Sequence, residues 1–279
     1  MRLEKIARNI EKEEDGIYYS KSGSKVSYPD EGNDYCMQLE DTSFWFLHRN
    51  NIIAESVKKY SADKTFYDIG GGNGFVAKRL QDDGVKVVLV EPGKVGAKNA
   101  YQRGIKNVLC STLEDAGFAA GAIESVGLFD VVEHIEDDLT FLKNIHNYMK
   151  EEGFIYINVP AYNFLWSKED EDAGHFKRYS RTQLNDLLQK AGFEIIYSTY
   201  VFSILPPAIF FFRSLPSKLG FNKDSQKLEK HQSVHKLPEK LDNLFQKLWN
   251  WELSRIKNDK KILSGSSCFV IGKKVADNS

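Results

Sequence analysis

The stretch TFYDIGGGNGFVA, residues 65–77, followed by KVVLVE, residues 86–91, decides how this chain is read. Residues 65–69 form a short apolar run that ends in glycines and passes into a helical pattern over 75–81. Residues 86–91 are a second apolar run, and the alternation continues from there. A helix is expected over 93–103, a third strand over 107–110, a fourth over 123–129, a helix over 137–149 and a fifth strand over 153–159. A helix over 181–189, stopped by Ala191-Gly192, leads to a sixth strand over 193–201, and a seventh lies at 267–275. Strands that alternate with helices and read as near-continuous apolar runs predict an α/β fold with a parallel sheet covered on both faces.

The chemistry sits at the turn. Gly70, Gly72 and Gly74 follow a strand and open a helix, so backbone can approach a ligand closely and the helix start offers free N–H groups. Glu91 closes the second strand 17 residues past Gly74, where an acid suits a bidentate hydrogen bond to the hydroxyls of a ribose. Residues 72–77 also fit the dinucleotide pattern G-x-G-x-x-A, a weak signal for nicotinamide cofactors. Asp68 separates the two readings. A carboxylate two residues before Gly70 suits a cationic group such as the amino end of an amino-acid tail, and it would repel a pyrophosphate.

Composition narrows the field. The 279 residues carry 38 Lys plus Arg against 39 Asp plus Glu, a net charge of −1, with 42% hydrophobic residues. A chain of this size buries roughly 75% of its unfolded surface and needs no disulfide to hold a core. Balanced charge gives no drive toward nucleic acid. Cys36, Cys110 and Cys268 lie far apart without a C-x-x-C pair, which fits neither a disulfide framework nor a zinc site. The opening MRLEKIARNIEKEEDG reads as a charged amphipathic helix without the apolar core of a signal peptide. The longest apolar run, residues 200–212, is too short to span a bilayer and is broken by Pro206-Pro207. A cytoplasmic location is therefore expected. The organisation expected is an N-terminal cap over 1–60, a core over 61–201 with a substrate loop at 161–180, a helical insertion over 202–263, and a last core strand and tail over 264–279.

With Asp68, the glycine loop and Glu91 in this order, the chain resembles class I S-adenosylmethionine-dependent methyltransferases of the ubiquinone-biosynthesis-like (type 11-12) group. The resemblance covers residues 65–160 and the two late strands, roughly half the chain. It implies a Rossmann-like seven-stranded sheet in the order 3-2-1-4-5-7-6 with the seventh strand antiparallel, and S-adenosyl-L-methionine as cofactor. It implies that residues 68–74 lie under the methionine moiety and that Glu91 holds the ribose. Thr112, Leu113 and Glu114 fall where the family contacts adenine. Many members have Asp at the place of Thr112, so Leu113 backbone groups or the Glu114 side chain would then supply that hydrogen bond. By position, Phe129 and Asp130 should lie near the sulfonium.

Methyl transfer chiefly needs alignment and exclusion of water, with proton removal where the acceptor is a hydroxyl. Three clusters could serve it. Asp130, Glu133 and His134 could supply a base or hold a divalent metal, or simply form a capped helix start, and no metal ligand set is assigned to them. Residues 166–179 resemble the W-S-x-x-D-x-x-x-G-H-x-x-R-Y stretch of a methyltransferase subgroup. There His175 is the best candidate for general base, since a histidine ordinarily titrates near pH ~6.5. Arg178 could hold an anionic group and Tyr179 could donate to an acceptor oxygen, against the plainer reading of a loop tied by an Asp170–Arg178 pair. Residues 43–51 (SFWFLHRNN) suit a helix capped by Ser43 or Thr42, with Arg49 or Asn50 placed to meet the methionine carboxylate.

The expected function is methyl transfer to a small-molecule, sugar or lipid-linked acceptor at a hydroxyl, although oxygen, nitrogen and carbon acceptors all fit. An NAD(P)-dependent oxidoreductase and a non-catalytic Rossmann-like scaffold are the alternatives. Residues 201–218 could line a hydrophobic acceptor pocket, touch a membrane surface peripherally or pack in the core. The insertion could be a lid, a substrate wall or the arm of a homodimer.

Overall fold

Strand β3 (Thr65–Ile69) is buried at every position, which is why its sequence is apolar throughout apart from Thr65 and Asp68. It pairs in parallel with β4 (Lys86–Val90) on one side and β6 (Ile123–Phe129) on the other, in register Asp68↔Leu89 and Asp68↔Gly127. Helix α1 (Phe44–Ser61) precedes it, α2 (Phe75–Asp82) joins it to β4, and α3 (Lys94–Gln102) joins β4 to β5 (Val108–Cys110). These assignments come from a computed structural model that describes residues 3–21, 37, 40–220 and 239–275.

The chain divides into two compact units. The first comprises residues 1–128, 147–155 and 274–279, and the second comprises 129–146 and 156–273. In the first unit the strand order is β1-β2-β5-β4-β3-β6-β7, where β1 is Ile10–Lys12, β2 is Tyr18–Ser20 and β7 is Met149–Pro160. Its core is built from Phe66, Tyr67, Val88, Leu89, Val108 and Val126, all essentially inaccessible. In the second unit the later half of β7 begins the order β7-β9-β8, with β8 at Phe193–Val201 and β9 at Ser267–Lys274. Helix α4 (Asp138–Tyr148) precedes β7, and α5 (Lys168–Asp172) and α6 (Arg181–Lys190) follow it. Each of the seven expected strands is present, and the expected 3-2-1-4-5 and 5-7-6 neighbours are found within the respective units.

The start of the chain differs from expectation. In place of a charged helix there is a 3-10 turn, Leu3–Lys5, and then an antiparallel hairpin of β1 and β2, whose second strand pairs in parallel with β5. The hairpin follows from Asp15-Gly16. Gly16 has φ +86°, and the Asp15 carboxylate accepts the Ile17 N–H at 2.9 Å. A tight turn of this kind outweighs the helical spacing of the residues before it. Ile10, Ile17 and Tyr18 are buried as a result.

The segment between β8 and β9 begins with a left-handed Phe202 at φ +61°. Helix α7 (Leu205–Ile209) follows, then a π-helical turn, Phe210–Ser214, then α8 (Leu215–Lys218). Helix α9 (Glu239–Lys257) completes the described part, and residues 221–238 lie outside it. Phe202 and Pro206 are buried, whereas Phe211 and Phe212 are exposed. The apolar run is thus divided between core and surface. Among the described residues, no helix is long and apolar enough to cross a membrane.

Candidate active site

In the first unit the glycine loop leaves β3 and turns into α2. Gly70, Gly72 and Gly74 all take positive φ, at +68°, +51° and +76°, which side chains disfavour. The loop is tied down from several sides. Gly70 N–H donates to the Val90 carbonyl at 2.8 Å and Gly74 N–H to the Gly71 carbonyl at 2.9 Å. Glu91 bridges two loops: its Oε2 accepts Gly72 N–H at 2.9 Å and its Oε1 accepts Gly93 N–H at 2.7 Å. Burial raises the Glu91 carboxyl, and the Gly93 and Gly72 amides partly offset this.

Asp68 lies beneath this loop, 2% exposed. Burial pushes its carboxyl up to about 7, Arg49 and the Ala77 N–H pull it down, and nearby Glu91 adds to the rise. Its Oδ2 has no hydrogen-bond partner. A Cβ on Gly71 would come within 2.9 Å of that same oxygen and of Leu89 Cδ1, so only glycine leaves room beside it. A buried carboxylate oxygen that lacks a partner, next to a cradle of bare backbone, has the chemistry to accept from a donor-bearing cationic group. These residues therefore fit the aminoacyl end of S-adenosylmethionine.

Helix α1 is capped by Ser43, whose hydroxyl accepts Trp45 N–H at 3.3 Å, as its sequence suggested. Arg49 is buried, with its guanidinium 4.6 Å from the Trp45 ring and 5.3 Å from Phe46. Its charge acts on Asp68 and Glu40. The Asn50 amide donates to the Phe75 carbonyl at 3.1 Å, at the first residue of α2. Sequence reasoning missed a second network around the loop. Glu40 pairs with Arg103 at 2.6 Å, and Asn73 links Glu40, at 3.5 Å, to Asn99, at 3.0 Å. Thr112 is a turn cap, its hydroxyl accepting Asp115 N–H at 3.1 Å, while Leu113 is buried and Glu114 exposed.

The second unit carries Phe129, Asp130 and the histidine cluster. Phe129 is buried at the end of β6. Asp130 follows in a left-handed conformation, φ +58°, which costs of order 1–3 kcal/mol in a non-glycine residue. Asn158, itself buried, holds it there: its carbonyl accepts Asp130 N–H at 2.9 Å and its amide donates to Asp130 Oδ1 at 2.9 Å.

Asp170 gathers the loop after β7. It closes a capping box with Ser167 at the start of α5 and is 1% exposed. Its Oδ1 meets His175 Nδ1 at 2.9 Å and the Arg178 Nε–H at 2.7 Å. Burial alone would raise this carboxyl, but His175 and Arg178 outweigh it and hold it at about 2. His134 faces His175 edge to face, ring centroids 4.7 Å apart, and burial together with the His175 charge lowers it to about 4.

Two residues expected to face the acceptor are engaged elsewhere. Arg178 spends its guanidinium on Asp170 and on the Ala161 carbonyl at 3.3 Å. Tyr179 is 3% exposed and donates to Asp138 Oδ2 at 2.8 Å, and burial followed by Asp138 raises its phenol strongly. Both act as struts, because a buried donor seeks an acceptor within the fold. His175 remains partly exposed, with 16% of its side chain accessible.

Residues 46–198 match the model of a family described as a methyltransferase domain. A ubiquinone biosynthesis O-methyltransferase of Rickettsia conorii is 29% identical over 181 residues, covering 57% of this chain and 58% of the relative. An S-adenosylmethionine-dependent methyltransferase of Mycolicibacterium smegmatis is 20% identical over 56% of this chain and 62% of its own length. The chain thus spans less than two thirds of these relatives. Among solved structures, a methyltransferase in complex with the Haloferax volcanii Trm112 activator has a TM-score of 0.58 at 14% identity, covering 90% of this chain and 97% of that one. A Haemonchus contortus phosphoethanolamine N-methyltransferase in complex with S-adenosyl-L-methionine has a TM-score of 0.55 at 17% identity, covering 90% and 59%. The buried Asp68 beneath the glycine loop argues against the nicotinamide reading of residues 72–77. With a family model matching more than half of its length, the chain belongs to the methyltransferase-domain family.

Proposed function

We propose that this protein transfers a methyl group from S-adenosylmethionine to a hydroxyl oxygen of a small-molecule, sugar or lipid-linked acceptor. The observation that carries the choice of oxygen is the Asp170–His175 pair. A proton acceptor oriented by a buried carboxylate is needed when a hydroxyl is methylated and is superfluous for a neutral amine.

S-adenosylmethionine, when bound, supplies a methyl group on positively charged sulfur. Asp68 and the backbone of residues 70–74 would hold its aminoacyl end, and Glu91, whose oxygens each still have a lone pair after accepting one N–H, would take the ribose hydroxyls. His175 would accept the acceptor's hydroxyl proton at Nε2. Asp170, hydrogen-bonded to Nδ1, fixes the tautomer and stabilises the imidazolium that results. The exposed Phe211 and Phe212 beside α7 support an apolar or lipid-linked acceptor within this class.

Calorimetric titration with S-adenosylhomocysteine, with NAD and NADP in parallel, tests the cofactor. A screen of hydroxyl acceptors by S-adenosylhomocysteine release tests the reaction. Tight binding of S-adenosylhomocysteine alone is expected, together with turnover that collapses in His175→Ala. Turnover on amines that is indifferent to His175 would overturn the hydroxyl assignment.

A further inference from the structure

We propose that Tyr19, oriented by Asp15, selects adenine at the cofactor site, so that the N-terminal hairpin forms the outer wall of the base pocket. The inference rests on the S-adenosylmethionine reading above and concerns residues outside the 46–198 family match.

Strand register carries it. β2 pairs with β5 in the register Tyr19↔Cys110, and β5 pairs with β4 in the register Leu109↔Val90. Glu91 N–H continues that ladder by donating to the Leu109 carbonyl at 2.9 Å, and Gly70 N–H extends it to β3 by donating to the Val90 carbonyl at 2.8 Å. Gly70, Glu91, Cys110 and Tyr19 therefore stand side by side at the carboxyl edge of the strands, and residues in register share a face of the sheet. An aminoacyl end on Asp68 and Gly70 and a ribose on Glu91 follow these strands in order. The next positions in that direction are Cys110 and Tyr19. Two strand spacings of ~4.8 Å separate Glu91 from Tyr19, about the reach of a nucleoside from its ribose hydroxyls to the amino group of its base. Cys110, between them, senses both flanks. Its thiol is raised to about 11, first by burial and then by Glu91, with Asp15 and Glu13 adding from the hairpin and Lys94 partly offsetting them.

The half-buried Tyr19 is held in place by its own turn. Its hydroxyl donates to Asp15 Oδ2 at 2.9 Å, Asp15 Oδ1 accepts Ile17 N–H at 2.9 Å, and a Cβ on Gly16 would collide with the Tyr101 ring of α3. With its hydrogen committed to Asp15, the phenol oxygen offers a ligand only lone pairs. The exocyclic amino group of adenine is a matching donor, whereas the keto oxygen of hypoxanthine is a second acceptor and is rejected. The loop after β5 turns its hydroxyls onto itself: Ser111 donates to the Thr112 carbonyl at 2.9 Å, and Thr112 accepts Asp115 N–H at 3.1 Å. The hairpin is thus the neighbouring source of a side-chain acceptor.

The test is calorimetric titration of the full chain with S-adenosylhomocysteine and with S-inosylhomocysteine, which differ only at that group of the base. Wild-type protein should prefer the adenine compound by ~10-fold or more. Tyr19→Phe, which keeps the ring, should lose ~10-fold in affinity for S-adenosylhomocysteine and little for S-inosylhomocysteine. Asp15→Asn keeps an oxygen for Ile17 N–H and turns an amide N–H toward the phenol, freeing the phenol hydrogen to donate to a keto oxygen. Its affinity for S-inosylhomocysteine should therefore rise. A residue that only braces the hairpin would change both affinities alike, so parallel changes, unchanged affinities in Tyr19→Phe, or a wild-type protein indifferent to the base would overturn the inference. If wild-type protein binds neither compound, the cofactor reading falls with it. If wild-type and Tyr19→Phe bind S-adenosylhomocysteine equally, the cofactor reading stands and the role of Tyr19 falls.

Discussion

His175 Nδ1 and the Arg178 guanidinium converge on one oxygen of Asp170, at 2.9 and 2.7 Å. Asp170 is therefore both an orienting group and a stability element. Its carboxyl is held at about 2 against an ordinary 3.8. A lowered acid contributes stability that is present above about pH 4 and lost as pH falls toward 2, here about 2 kcal/mol. Asp170→Asn should lose that margin at pH 7 and show a flatter urea midpoint between pH 5 and 2. Turnover on a hydroxyl acceptor should fall ~10²-fold or more.

Asp68 has the opposite sign. Burial raises its pKa to about 7, so in the folded state the neutral form is favoured. Its contribution is fully present below about pH 4 and is lost as pH rises through 7. A cationic ligand reverses this preference. S-adenosylhomocysteine affinity should therefore rise with pH between about 6 and 8. Calorimetry in buffers of different ionisation enthalpy should register proton release on binding. Asp68→Asn is expected to raise the melting temperature of the free protein at pH 8 while weakening cofactor binding, and a variant that binds normally would sink the assignment.

Gly71 is confined by its neighbours. A methyl group there meets Asp68 Oδ2 and Leu89 Cδ1 at 2.9 Å, both inside the core. Gly71→Ala should cost about 1–3 kcal/mol by overpacking and weaken cofactor binding, read by denaturant midpoint and titration. Gly84→Ala makes a control, since nothing lies within 4 Å of a Cβ there, although its φ of +88° carries a strain cost of its own.

Much of this architecture is legible from sequence because it rests on local signals. The buried strands announce themselves as apolar runs, and the Ser43 cap and the positive-φ glycines by residue type. What escapes is set by pairs far apart in the chain. The ion pair of Glu40 with Arg103 joins residues 63 positions apart, and no periodicity encodes it. The role of Gly71 depends on where the Asp68 side chain lies, not on its own backbone. Tyr179 looks like a substrate donor in one dimension, yet Asp138, 41 positions away, claims it in three, whereas the Asp170–Arg178 pair, eight positions apart, is one the sequence already offers. The opening hairpin was readable in Asp15-Gly16, but a charged helical spacing competed with it.

Glu252 offers a stability test within the second unit. Its buried carboxylate accepts Phe202 N–H at 3.0 Å and both the N–H and hydroxyl of Ser203 at 2.6 Å, where the chain leaves β8 through the left-handed Phe202. Glu252→Ala should destabilise by about 3 kcal/mol, because buried amides lose a charged acceptor. Glu252→Gln, which keeps an acceptor oxygen, should cost distinctly less, and equal losses in chemical denaturation would contradict this account.

The N-terminal hairpin has a bearing on self-association. An unpaired strand with a full ladder of free amides is a template for another chain. Here β2 occupies the flank of β5, and among the described residues the outermost strand is β1, three residues long with Glu11 and Lys12 exposed. A strand this short and charged gives an incoming chain little to zip onto, so the hairpin guards this margin of the protein against ribbon-like polymerisation.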